Sequence, residues 1–318
     1  MDGVSFVVTV FDKAAFLPRV IDALARQEGS FAREFVFVDD GSSDGSAELI
    51  ARLTAGWAAP VTILRQRNGG ASSATNRGAA EARLPWLKLV DGDDLLAPGA
   101  TAALLDAAQA AGQTLAYGDL GFYGAADPWT DAPPRWTVEP VTDGLRRFIR
   151  NCPANSSAIF VAASRYRAAG GCDERLVSPD QALFLRLFAV GDGVRLRGPV
   201  AYTPQEAPGR LSGQRRRSRY ESVLALYYLV TEAPRLDPAL ARYAARRAMS
   251  RAWRFHRSHG GGFLSAHLAR FAASSLGWRL GPEAMFRALG AFTEDGRPER
   301  PPSWLPGALR EALGEPAG

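Results

Sequence analysis

Trp86-Leu87-Lys88-Leu89-Val90-Asp91-Gly92-Asp93-Asp94 decides the fold: a largely apolar run from Trp86 to Val90, interrupted by Lys88, stops abruptly at a cluster of carboxylates. A run this short predicts a strand buried on both faces of a parallel sheet. Val4 to Val10, Phe35 to Val38 and Val61 to Leu64 read the same way. Helical stripes alternate with them. Ala14 to Arg26 carries Phe16, Leu17, Val20, Ile21 and Leu24 on one side; a second helix runs through Leu49, Ile50 and Leu53, with Ser43 or Asp44 placed to cap it; a third spans Ser72 to Ala82. Strands alternating with helices mean βαβ units and an α/β domain with a mostly parallel central sheet. Phe35 to Val38 also ends in acids, Asp39-Asp40-Gly41-Ser42-Ser43-Asp44. Both clusters therefore follow the carboxyl end of a strand, the edge where open α/β sheets bind ligands.

After Pro98 the pattern loosens. Thr101 to Ala111 reads as a helix, Thr114 to Tyr117 as a strand, and Asp127 to Pro140 as loop. Ser156 to Val161 is another strand, Gly170-Gly171 a turn, Asp180 to Val190 a helix, and Val194 to Tyr202 a closing strand. Pro204 to Gly213 is a joint beyond which the chain is helical, until a Pro-rich tail at Gly296 to Gly318. The expected division is residues 1–205 for the α/β part, in two portions 1–97 and 98–205, and 206–318 for a helical extension.

Composition excludes some classes. The 318 residues are 47% hydrophobic and 22% charged, which is globular rather than disordered. The net charge of +5 rests almost wholly on arginine, since Lys13 and Lys88 are the only lysines. Cys152 and Cys172 are too few for a disulfide framework and lack zinc spacing, so two reduced thiols are expected. No charged leader precedes the first strand, and no apolar run approaches the roughly 20 residues of a membrane span. The expected location is the cytoplasm, or the inner face of a membrane.

Three segments carry chemistry. Carboxylates crowded at a strand end repel one another unless a cation sits there. Mg²⁺ and Mn²⁺ bind through one or two such carboxylates plus substrate phosphates. The alternative is that Asp93 and Asp94 cap the helix after Pro98. Asp39-Asp40 can accept from a nucleobase N–H or a ribose hydroxyl, or belong to a capped turn. Asn68-Gly69-Gly70-Ala71-Ser72 lets backbone approach a ligand and opens a helix whose amides favour phosphate, or is a loop capped by Ser72.

In this order and spacing the segments resemble the family 2 glycosyltransferases of the GT-A fold, over about residues 4–190. The resemblance implies that Thr9, Val10 and Phe11 line the base or ribose and that Asp40 meets the base. It implies further donor contacts from Asn68, Gly69, Asn76 and Arg77. Asp91 would hold the ribose or the metal shell, and Asp93 would ligate Mn²⁺ or Mg²⁺ on the diphosphate. Asp180, opening a helix after Pro179, would be the general base of an inverting transfer. The donor would be a nucleoside-diphosphate sugar, commonly UDP-linked, and the acceptor a carbohydrate or lipid-linked molecule in polysaccharide or cell-envelope synthesis. The chain departs from the family pattern at four places: Phe11-Asp12 for Tyr-Asn, Thr75 for arginine, Cys172 for an aromatic, and Pro179 for a first acid. Two other readings are a catalytically inactive nucleotide-sugar-binding protein and a sugar nucleotidyltransferase. Against the latter stands the lack of an early glycine-rich loop with arginine and lysine.

Ala239 to Arg257 is two-faced, with Ala241, Ala244, Ala245, Ala248, Ala252 and Phe255 on one side. Arg242, Arg246, Arg247, Arg251, Arg254 and Arg257 spread over the other, and Arg215-Arg216-Arg217 and Arg219 add charge upstream. This face is either solvated or a peripheral contact with anionic lipid. Nucleic acid is not expected, because no binding motif or aromatic platform accompanies the charge. Arg210-Leu211-Ser212 is a candidate segment to fold over donor or acceptor.

Overall fold

The structure is a computed structural model that describes residues 2–124, 134–205, 215–233, 236–278 and 280–293. Gly3–Val10 (β1) is rich in valine and fully covered on both faces for nearly its whole length. It pairs in parallel with Ala32–Asp39 (β2) and with Trp86–Asp91 (β4), while Val61–Arg65 (β3) adds in parallel to β2. Beyond β4 the sheet becomes mixed, through Leu95–Leu96 (β5), Leu115–Tyr123 (β6), Thr137–Val141 (β7), Ile159–Ala162 (β8) and Gly193–Pro204 (β9). The order is β3-β2-β1-β4-β8-β6-β9-β5, with β7 on β9. Strand order reverses between β1 and β4, and such a switch point opens a crevice at the carboxyl ends.

Leu17–Ala25 (α1), Ser46–Thr54 (α2) and Ala71–Glu81 (α3) are the crossovers. In α1 Leu17, Val20, Ile21 and Leu24 are buried, the stripe the sequence predicts. α3 lies close on the sheet because Gly78 has no side chain: a Cβ there would stand 2.4 Å from Val7 Cγ1. Ala100–Ala110 (α4), Gly144–Arg150 (α5), Ala163–Ala168 (α6) and Asp180–Ala189 (α7) complete the α/β part. Phe148 of α5 stacks on Phe184 of α7 at 4.2 Å, with Tyr117 of β6 edge-on to both.

Arg215–Glu232 (α8), Pro238–Ser258 (α9), Ala266–Ser275 (α10) and Pro282–Ala288 (α11) follow. Their buried residues, among them Tyr220, Leu224, Ala248 and Met285, join one continuous apolar cluster with the sheet. The alanine face of α9 is inward as its periodicity predicts. The arginine face divides. Arg242, Arg246, Arg254 and Arg257 are exposed. Arg247 donates to the carbonyl of Arg150 at 2.8 Å, and Arg251 to those of Ile149 at 3.0 Å and Ser222 at 2.8 Å. These two cations cap the carboxyl end of α5, where the helix dipole favours positive charge. No helix among the described residues is long and apolar enough to cross a membrane.

Two expectations are corrected. Thr137–Val141 is a strand rather than loop; it pairs with β9 as an edge strand, a position that tolerates Pro140. The strand expected from Ser156 begins at Ile159, because Ser156–Ala158 forms a 3-10 turn. Residues 127–133 of the expected loop, 206–213 of the joint with Arg210-Leu211-Ser212, and the Gly296–Gly318 tail lie outside the described residues.

Candidate active site

Register brings the acid clusters together. Thr9 of β1 lies opposite Val38 of β2 and Asp91 of β4, and Val10 lies opposite Asp39. The Asp40 amide donates to the Val10 carbonyl at 2.8 Å and the Gly92 amide to the Thr9 carbonyl at 2.9 Å. Gly92 is required there, since a Cβ would meet the Thr9 carbonyl oxygen at 2.8 Å. The crevice is a cavity of about 520 Å³ lined by Thr9, Val10, Phe11, Asp40, Asn68, Asp91, Asp93 and Asp180. Residues of five separate sequence segments thus line one crevice.

The capping alternatives fail for the second cluster and are modified for the first. Gly99 is the N-cap of α4, without a side-chain cap, so Asp93 and Asp94 remain in the crevice. Gly45 is the N-cap of α2, and Asp44 accepts from the Ser46 amide at 3.0 Å and from the Ala14 amide at 2.8 Å. Asp44 therefore ties the starts of α1 and α2 together. Asp12 takes a left-handed φ of 50° and accepts from the Ser43 amide at 2.8 Å. Asp and Asn tolerate that backbone better than other residues, which accounts for an acid standing where asparagine is frequent.

Asp40 closes on the glycine loop. Its carboxylate accepts from the Gly69 and Gly70 amides, each at 2.8 Å, and from Gln66 at 2.8 Å. The Gly69 and Gly70 amides are thereby engaged with Asp40, and Ser72 donates to the Leu176 carbonyl at 2.6 Å instead of capping α3. Burial pushes the Asp40 carboxyl up from its usual value, against these hydrogen bonds.

Asn76 and Arg77 lie outside the cavity lining. Asn76 donates to the Cys172 carbonyl at 3.0 Å and to Glu174 at 2.7 Å, and accepts from the Tyr166 hydroxyl at 2.7 Å. It braces α3 against the 170–174 turn. Arg77 points the other way, to the Arg65 carbonyl at 2.8 Å. The Thr75 hydroxyl donates to the Ala71 carbonyl at 2.7 Å, and the Cys172 thiol accepts from the Tyr166 hydroxyl at 3.3 Å. Both cysteines are free.

Asp180 sits at the start of α7, half-buried, with Pro179 as N-cap. Its carboxylate accepts from the Ser156 amide and hydroxyl, both at 3.0 Å. Burial holds its proton more tightly than usual, opposed by those Ser156 bonds. Asp91 is pushed well above the carboxylate range by burial and by Asp94, Asp180 and Asp93. Asp94 is raised to about 6 by burial and Asp93.

Sequence reasoning missed three participants. Asn155-Ser156-Ser157 threads the acids: Asn155 donates to Asp94 at 2.7 Å, Ser156 to Asp180, and the Ser157 hydroxyl accepts from the Asp91 amide at 2.9 Å. Lys13 contacts Asp93 at 2.6 Å. Lys88 is wholly buried behind the cluster and donates to the carbonyls of Ser157 and, at 3.1 Å, Leu89. Burial lowers its ammonium to about 7, while Asp94 and Asp91 pull it back up. The signals were a polar triplet before a strand and a lysine inside one.

Among the described residues no cluster of three or more His, Cys, Asp or Glu is arranged to hold a metal. The donor chemistry nonetheless fits a hard cation shared with phosphate, which needs only one or two protein carboxylates. Asp93 already carries a positive partner in Lys13, and Asp91 is crowded by acids.

A doubly flanked α/β sheet with acids gathered at its switch point defines a nucleotide-binding class of fold. The Glycosyl transferase family 2 model matches residues 5–164, and the chain belongs to that family. It is similar to the uncharacterized glycosyltransferase EpsJ of Bacillus subtilis (strain 168), at 35% identity over 42% of this chain and 38% of EpsJ. It is also similar to the succinoglycan biosynthesis protein ExoO of Rhizobium meliloti (strain 1021), at 32% identity over 37% of this chain and 33% of ExoO. The match thus spans about a third of the length of these relatives. Among solved structures, S. aureus TarS 1-349 in complex with UDP-GlcNAc superposes with a TM-score of 0.61 at 16% identity, covering 98% of this chain and 83% of that one. The mannosyltransferase PcManGT of Pyrobaculum calidifontis, with GDP-Man and Mn²⁺, gives 0.57 at 15% identity, covering 92% and 81%. At these identities the likeness is one of fold.

Proposed function

We propose that this chain transfers a sugar from a nucleoside diphosphate, UDP in the first instance, to an acceptor hydroxyl with inversion at the anomeric carbon. The observation that carries the reading is the position of Asp180, which lines both the donor crevice and a second cavity of about 890 Å³. A group between two chambers can face donor and acceptor at once. Thr9, Val10, Phe11 and Asn68 line the crevice around the base and ribose, and Asp40 holds the loop beside them. Asp91 and Asp93 hold a divalent cation, Mn²⁺ or Mg²⁺, which when bound supplies charge stabilisation to the departing diphosphate. Such use of UDP-GlcNAc, or of GDP-Man with Mn²⁺, is in line with what the two structural neighbours bind.

Asp180 takes the proton from the acceptor hydroxyl as its oxygen attacks C1 from the side opposite the diphosphate. Ser156 orients that carboxylate, and burial keeps it basic enough to accept. Asn76 acts indirectly, by fixing the turn that leads into α7, and Arg77 supports β3 rather than the donor.

A thermal-shift panel of UDP-, GDP- and dTDP-sugars with and without Mn²⁺ tests the reading. A shift with one nucleotide that grows when Mn²⁺ is added is expected. No shift with any of them overturns it.

A further inference from the structure

The second cavity has a charge that the proposed transfer does not use. It lies between α5, α7, α8 and α9 and is lined by Arg150, Arg219, Arg247, Arg251 and Arg254. Its acids are Asp180 and Glu221 alone. Glu221 is already paired with Arg217 at 3.3 Å and accepts from the Ser178 amide at 3.0 Å. Among the described residues none of the five arginines forms an ion pair, and the side chains of Arg150, Arg219 and Arg254 make no hydrogen bond.

Arg247 and Arg251 are held only by neutral acceptors, the carbonyls of α5 and of Ser222. Their positions are fixed while their charges stay uncompensated. Burial first, then Arg247 and Arg219, depress Arg251 to about 10. The Nε of Arg247 is buried with no hydrogen-bond partner. An unmet buried donor in a cationic cavity calls for an anion.

We propose that the acceptor carries a phosphate near its reacting hydroxyl, and that this phosphate sits among Arg219, Arg247, Arg251 and Arg254. This rests on the glycosyl-transfer reading above. The guanidinium groups come from two helices, α8 and α9. A tetrahedral phosphate offers oxygens in several directions, whereas a carboxylate offers two in one plane. The site is separate from that of the donor diphosphate, because the two chambers share only Ser178, Asp180, Ser218 and Glu221. A phosphate held on the arginine side leaves a neighbouring hydroxyl to reach Asp180.

The test is calorimetric, on the protein saturated with UDP and Mg²⁺ so that the donor crevice is filled. Glucose 6-phosphate and glucose are titrated separately, as are vesicles of phosphatidylglycerol and of phosphatidylcholine. Binding of the phosphorylated sugar but not of glucose, weakened about tenfold or more in the double variant Arg219→Gln/Arg254→Gln, is expected for a soluble phosphate. Binding to phosphatidylglycerol vesicles alone, lost in the same variant, assigns the same chemistry to a lipid-borne phosphate. Equal affinity for glucose and its phosphate with no vesicle binding, or phosphate binding indifferent to the variant, overturns the inference. Both side chains are exposed, and the variant's thermal unfolding reports its fold; Arg219→Lys/Arg254→Lys should recover part of the affinity. UDP binding by the unsubstituted chain is read alongside. Its absence overturns the glycosyl-transfer reading, and its presence without a phosphate effect overturns this inference alone.

Discussion

The two chambers that meet at Asp180 are opposites in charge and origin. The donor crevice is edged by Asp40, Asp91, Asp93 and Asp94, delivered by consecutive βαβ units. The second chamber is edged by arginines delivered by helices far along the chain. Acids outnumber cations on one side and cations outnumber acids on the other, and like charges crowded together repel. On the proposed reading one wall holds a metal with a diphosphate, and the other an anion. The acid that divides them belongs to the helical side yet is hydrogen-bonded to the turn that supports the acid cluster.

Removing the divider should have the largest effect. Asp180→Asn is expected to lower kcat by roughly 10²–10⁴-fold, the span usual for a general base, while UDP-sugar binding by calorimetry persists. Asp93→Asn should act on the donor side alone. It is expected to abolish the Mn²⁺-dependent part of the donor thermal shift and to reduce kcat/KM on the order of 10²-fold. A variant that keeps its full metal-dependent shift would exclude Asp93 as a ligand.

Lys88→Met removes a cation from behind the acids and leaves buried carbonyls of Ser157 and Leu89 without their donor. Denaturant unfolding should show a loss of about 1–3 kcal/mol. The smallest effect is a displacement of the pH profile. Asp180 must be ionised to accept a proton, and burial raises its pKa. Activity should therefore fall on the acid side starting above the ordinary carboxylate range, at most about tenfold per pH unit. A limb at the ordinary value would mean that solvent reaches the carboxylate.

The two halves also differ in how far the sequence foretells them. β1 to β4 and α1 to α3 follow from period and apolar runs, because each crossover unit is local. The acid boxes at the tips of β2 and β4 could be placed on one edge for the same reason. Asp180 was legible through its resemblance to a family pattern and its place at a helix start. Lys13 and Asp93 stand 80 residues apart, and only the parallel register of β1 and β4 joins them. Ser156-Ser157 reads as the start of a plain strand, since a 3-10 turn has no periodic signature of its own. Asn76 and Arg77 share the loop-helix segment with Asn68, but helical geometry turns both away from the crevice. On α9 the period gives the side that carries the arginines; it does not say that α5 carbonyls lie under two of them.

The most direct measurement is a crystal structure with UDP-sugar and Mn²⁺. The account predicts an anomalous Mn²⁺ peak beside Asp91 and Asp93, with the sugar C1 facing the Asp180 carboxylate on the side away from the diphosphate. A nucleotide bound outside the crevice, or a C1 turned away from Asp180, would contradict it.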